Sequence, residues 1–202
     1  YSKELQQMCL VGIEDYKNKS KKYKLGKRSG KGKEYIINTN ILIFEGEYLN
    51  GKRDGKGKEY YENGKLKFKG EYLNGKRWNG NGYNINGNTD FEIKNGKGNI
   101  KEYNYYNDKL EFEGEYLNGE ITGKGKEYNH DGNLLFDGEY LNGKRNGIGK
   151  EYNYADKLIF EGKYLYGERN GTGTEYNFDG KLIFKGEYLN GARIEKTKWK
   201  ME

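Results

Sequence analysis

The sequence predicts an all-β protein, an elongated single antiparallel sheet built as a solenoid-like meander of hairpins. Three observations carry the prediction. A phrase restarts about every 24 residues, each phrase alternates apolar and polar residues with period two, and Asn-Gly or Asp-Gly pairs punctuate the runs.

Composition alone would argue the other way. Of the 202 residues 33% are hydrophobic and 34% charged, a balance typical of disorder. Against it stand 21 Tyr and 8 Phe, regularly placed, and 32 Gly with no Pro, which implies tight turns. The single cysteine, Cys9, excludes an internal disulfide framework and suits a reducing compartment. No stretch reaches the ~20 apolar residues of a membrane span, and "MCLVGI" is too short for a signal peptide. A cytoplasmic setting, at the cytoskeleton or an inner membrane surface, is therefore expected. The first residue is Tyr rather than Met, which suggests a piece of a longer chain.

The phrase "FEGEYLNGKRDGKGKEYYENGKLK" starts at Phe44 and restarts at Phe68, Phe91, Phe112, Phe136, Phe160 and Phe184. A degenerate copy, "YKLGKRSGKGKEY", precedes it at 23–35, so residues 23–202 read as about eight units. Numbering each unit from its Phe, position 1 is Phe, 3 is Gly and 5 is Tyr, with charges at 2 and 4. Such alternation marks a half-buried strand. The Asn-Gly or Asp-Gly pair at positions 20–21 (Asn63-Gly64, Asp131-Gly132, Asp179-Gly180) predicts a two-residue turn that pairs 19 with 22. The "NGKR" at positions 7–10 is read as a four-residue loop. Both turns place positions 13 and 15 opposite 4 and 2, so Glu47 stands by Lys56 and Lys58, and Glu115 by Lys124. On the same face, position 17 is expected beside 24: Tyr128 by Leu135, Tyr152 by Ile159, Tyr176 by Ile183. The glycines at 3, 12 and 14 share the face of the rings, which can lie over their bare backbone.

That face offers an aromatic groove for a helix or extended peptide. Its rings are Phe44 and Tyr48, Phe68 and Tyr72, Phe112 and Tyr116, Phe136 and Tyr140, Phe160 and Tyr164, and Phe184 and Tyr188. A second candidate site lies in the basic run of residues 17–33, which holds nine basic side chains and no acid. Lys17, Lys19, Lys21, Lys22, Lys24, Lys27 and Arg28 are its anion-binding candidates, with anionic lipid as the partner; nucleic acid is not expected.

The pattern of an aromatic, Gly, an aromatic, a turn Gly and Gly-x-Gly in "FEGEYLNGKRDGKGKEY" resembles the MORN (membrane occupation and recognition nexus) repeat. The added "ENGKLKF" is similar to the longer, 24-residue variant of that repeat. The resemblance covers residues 23–194 and implies a scaffold, tether or regulatory module. It leaves three functions open: a partner-binding scaffold, a tether to anionic, phosphoinositide-type membrane surfaces, or the regulatory repeats of a larger enzyme. The pattern breaks at 76–107, where Trp78 enters a turn and Phe91 lacks the Gly-Glu-Tyr-Leu that follows its counterparts. Either a decayed repeat bends the sheet there, or Trp78 sits in a binding loop.

No catalytic residues are found. The only histidine, His130, adjoins a turn, the serines Ser2, Ser20 and Ser29 all lie in the amino-terminal segment, and Cys9 has no histidine near it. "GKRSGKGK" lacks the spacing of a phosphate loop. No enzyme activity, cofactor or metal is expected. At the ends, Leu5, Met8, Cys9 and Ile13 suggest a short helix within a basic amino-terminal cap, residues 1–22. "IEKTKWKME" reads as a last strand with lysines guarding its edge. Leu189, Trp199 and Met201 are the proposed contact of a homodimer.

Overall fold

The computed structural model describes residues 22–104 and 106–194. They form sixteen strands in one open sheet, each beside its neighbour in sequence, with no helix among the described residues. The expected amino-terminal helix and the strand over Trp199 lie outside the described residues.

The chain divides into two compact units between Asn95 and Gly96. The first holds β1 (Lys22–Gly26), β2 (Gly30–Ile36), β3 (Leu42–Leu49), β4 (Lys52–Tyr60), β5 (Leu66–Leu73), β6 (Lys76–Tyr83) and β7 (Thr89–Lys94). The second holds β8 (Lys97–Tyr103), β9 (Leu110–Leu117), β10 (Glu120–Tyr128), β11 (Leu134–Leu141), β12 (Lys144–Tyr152), β13 (Leu158–Leu165), β14 (Glu168–Tyr176), β15 (Leu182–Leu189) and β16 (Ala192–Ile194).

The middle of each strand has the expected register. Glu45 faces Lys58 and Gly46 faces Gly57 across β3 and β4; Lys56 faces Glu71 and Gly57 faces Gly70 across β4 and β5. The turns, however, exchange roles. The Asn-Gly of "NGKR" is the two-residue turn, so Leu49 pairs with Lys52. Asn50 and Gly51 both have positive φ, 51° and 84°, as do Asn74 and Gly75 at 52° and 91°. That is the primed turn whose twist matches the strands it joins. The shorter turn leaves β4 with two extra residues, and the register shift between Gly46 and Tyr48 absorbs them at Gly55, φ 92°.

The loop that carries Asn63-Gly64 has three residues. Tyr61 N–H donates to Lys65 O at 2.8 Å and Gly64 N–H to Tyr61 O at 2.9 Å. Gly64 alone is left-handed, with φ 81°, which closes a common turn with one extra residue. Position 18 therefore pairs with 22, and position 17 with 23 rather than 24. Tyr128 faces Leu134, Tyr152 faces Leu158 and Tyr176 faces Leu182. In the loops after Tyr128, Tyr152 and Tyr176 an Asn at position 18, where the loop of Asn63-Gly64 has Tyr61, organises the backbone: Asn129 Oδ1 accepts the N–H of Asp131 and of Asn133, both at 2.9 Å.

The core lies on one face. The Phe44 ring rests on Gly46 and Gly57, where any Cβ would collide with it. It meets Tyr48 and Tyr72 edge-on at 5.6 and 5.0 Å, and the Arg53 guanidinium covers its other side at 4.0 Å. Glycine below and arginine above leave Phe44 no accessible surface. In the second unit Phe136 and Phe160 are enclosed the same way, with Arg145 and Arg169 each 4.1 Å away. In the irregular segment Ile93, fully buried, takes the place of a glycine, and Phe91 stacks with Phe68 at 24° instead of edge-on. Trp78 lies half-buried within β6 rather than in a loop.

Candidate functional site

The two faces of the sheet present different chemistry. On the aromatic face, ten of the twelve rings named from the sequence are buried, and Tyr116 and Phe184 are half-buried. They serve as the packed interior of a one-layer sheet, so a partner resting on this face meets the groups that seal it.

Those groups are Arg at position 10 and Glu at position 16. Arg53 binds Glu34 on β2, at 2.7 Å, and Glu59 on its own strand, while Arg77 reaches Glu59 from β6. Tyr48 donates its hydroxyl to Glu34 at 2.9 Å. In the second unit Tyr140 donates to Glu127 and Tyr164 to Glu151, both at 2.6 Å, and Arg145 and Arg169 bind the same carboxylates. Arg169 and Arg193 both reach Glu175, at 3.4 and 2.7 Å. The planar guanidinium can cover a ring and bridge two carboxylates together, which a lysine cannot. Burial alone would raise the pKa of Glu59, but Arg77 and Arg53 outweigh it and hold that carboxyl at about 2. Sequence reasoning missed this ladder. Its signal was the Arg of "NGKR" and the Glu of "KEY", which recur in most units.

The opposite face is open. In the first unit a groove of about 960 Å³ crosses β1 to β6. Its floor is backbone at Gly32, Gly46, Gly57 and Gly70, which lie opposite one another strand by strand. One wall is the row Lys33, Glu45, Lys58 and Lys69; the other is Lys31, Glu47, Lys56 and Glu71. Glu45 is shared by Lys33 at 3.5 Å and Lys58 at 3.4 Å, and accepts the Tyr60 hydroxyl at 2.7 Å. That hydrogen bond, helped by Lys58 and Lys33, outweighs the opposing effect of burial and sets its carboxyl below the usual range. Glu47 holds the backbone N–H of Lys56 at 2.9 Å rather than a lysine side chain. The second unit has an equivalent groove of about 850 Å³ crossing β12 to β16, where Ile148, Thr172 and Thr174 stand at the wall positions.

Of the basic patch, Lys17, Lys19 and Lys21 lie outside the described residues. Lys22 pairs with Glu34 at 3.5 Å. Lys24 lies 3.5 Å over the Tyr48 ring and donates to Lys27 O at 2.8 Å. These two complete the first rung of the ladder, leaving Lys27 and Arg28 exposed in the β1–β2 turn. Leu189 is exposed, while Trp199 and Met201 are outside the described residues. His130 is exposed and 3.4 Å from the Asp131 carboxylate. Among the described residues no cluster of three or more His, Cys, Asp and Glu side chains could hold a metal ion.

No curated protein matches the chain. Among solved structures it is similar to the crystal structure of TarM, at 8% identity and a TM-score of 0.28, over 76% of this chain and 22% of that one. The chain thus spans about a fifth of the length of that structure. The family model of the MORN repeat matches residues 22–39, 44–65, 112–134, 136–153 and 160–181, together just over half of the chain. Its phrases and its hairpin sheet agree with that match, and the chain belongs to the MORN repeat family.

Proposed function

We propose that the chain is a non-catalytic scaffold that holds a protein segment along the charged face of its repeat sheet. The observation that carries this reading is the groove over Gly32, Gly46, Gly57 and Gly70, open to solvent and walled on both sides. A floor of backbone between two rows of side chains gives a partner shape and polar contacts at once. The aromatic face, by contrast, is occupied by its own arginine ladder, which makes it a rigid support. Rigid elements under a binding surface reduce the ordering cost of association.

Lysine footprinting of the tagged chain with captured partners tests the reading. Protection of Lys56, Lys58 and Lys69 is expected. Protection confined to the hairpin loops would overturn it.

A further inference from the structure

The groove of the first unit breaks a rule that the facing residues of the second unit keep. Residues directly opposite on neighbouring strands are usually of opposite charge or neutral, because like charges there are destabilising. Lys126 faces Asp137, Lys150 faces Glu161, and Thr174 faces Lys185. Across β4 and β5, however, Lys58 faces Lys69. Lys58 shares Glu45 with Lys33, and Lys69 has only Asn81 on its other side. Lys31, Lys56 and Lys69 make no ion pair among the described residues, although all line the groove. The carboxylates of the same walls are committed. Glu45 holds Tyr60 and two lysines, Glu47 holds the Lys56 N–H, and Glu71 accepts from Asn79 Nδ2 at 3.0 Å. A local conflict of this kind inside an otherwise consistent sequence is where a binding function is expected.

Resting on the scaffold reading, we infer that this groove is the docking site of an extended acidic protein segment, with a carboxylate seated against Lys56, Lys58 and Lys69. The walls stand two residues apart along the strands, ~7 Å, which admits an extended chain. A helix, 10–12 Å across with its side chains, is too wide to reach the floor. Six strands at ~4.8 Å give a run of about 24 Å, enough for roughly seven extended residues. Residues 1–21 and 195–202 do not complement the site, since neither segment carries net negative charge. A bilayer surface is flat on this scale and would touch the rims without reaching the floor. A uniformly charged nucleic-acid strand would meet Glu45, Glu47 and Glu71 in both walls, whereas a peptide can set neutral residues opposite them.

The test uses the full chain and fluorescein-labelled eight-residue peptides that alternate Glu with Ser or Lys with Ser. Oligothymidylate and phosphatidylserine vesicles are the competing probes. The Glu peptide should bind, more weakly as salt rises. Lys69→Glu should weaken it on the order of tenfold while Tm holds or increases, because the new carboxylate pairs with Lys58. Thr172→Glu in the second unit should leave binding unchanged. Equal binding by Lys69→Glu, no binding of the Glu peptide, or preference of these lysines for oligothymidylate or vesicles would overturn the inference. A random eight-residue display library separates the two readings. Enrichment of acidic peptides supports both, enrichment of other peptides on the same face removes the charge assignment alone, and no enrichment removes the scaffold reading as well.

Discussion

Glu47 places its carboxylate where a Cβ on Gly55 would have to stand, and from there it accepts the N–H of Lys56 at 2.9 Å. Glu139 does the same at Gly147 and Ile148, also at 2.9 Å, and Glu115 at Gly123 and Lys124, at 3.2 Å. The bulge that corrects the register leaves a backbone donor without a strand partner. The glutamate supplies one, and only glycine leaves room for it.

Gly55→Ala therefore carries two penalties, a left-handed φ of 92° and a collision with Glu47. Gly64, at φ 81° with open space around it, carries only the first. We expect losses of roughly 2–3 kcal/mol for Gly55→Ala and about 1 kcal/mol for Gly64→Ala in urea unfolding. Equal losses would show that the carboxylate gives way freely.

Gly70→Val should destabilise far more than Lys69→Val. A Cβ on Gly70 would strike the backbone of Asn79 and Gly80, whereas Lys69 is exposed on the groove face. Equal melting temperatures for the two variants would contradict the packing described.

Arg169→Lys tests the ladder. The guanidinium lies 4.1 Å over Phe160 while binding Glu151 and Glu175, and an ammonium cannot do all three. A loss of about 1–3 kcal/mol is expected, against almost none for Lys150→Arg on the other face. Calorimetry of the two variants decides it.

Acid should weaken the first unit. The Glu59 carboxyl is lowered from an ordinary 4.5 to about 2 despite its burial, because of Arg77 and Arg53. A lowered carboxylate stabilises the fold above its unfolded pKa and loses that contribution as pH falls through the folded one. The window is thus about pH 4.5 down to 2, worth on the order of 3 kcal/mol. Glu59→Gln should lower stability at pH 7 and flatten the decline between pH 5 and 2; an unchanged pH slope would refute the assignment.

The strands, their antiparallel order and the facing of positions 2 with 15 and 3 with 14 are legible in the amino-acid pattern. Period-two alternation and a 24-residue repeat admit no other register in which charges meet charges and rings meet glycines. The pattern could not decide which Asn-Gly was the two-residue turn, because both loops contain that pair. The choice rests on φ at Asn50 and on the bulge at Gly55, a balance of strand twist over residues far along the chain. Nor could it show that Phe44 and Phe160 are sealed. Burial of a ring depends on an arginine that folds back over it and on the carboxylates two strands away that hold the arginine there. Those neighbours become adjacent only once the hairpins stack, so the buried face and the open groove were decided by tertiary structure.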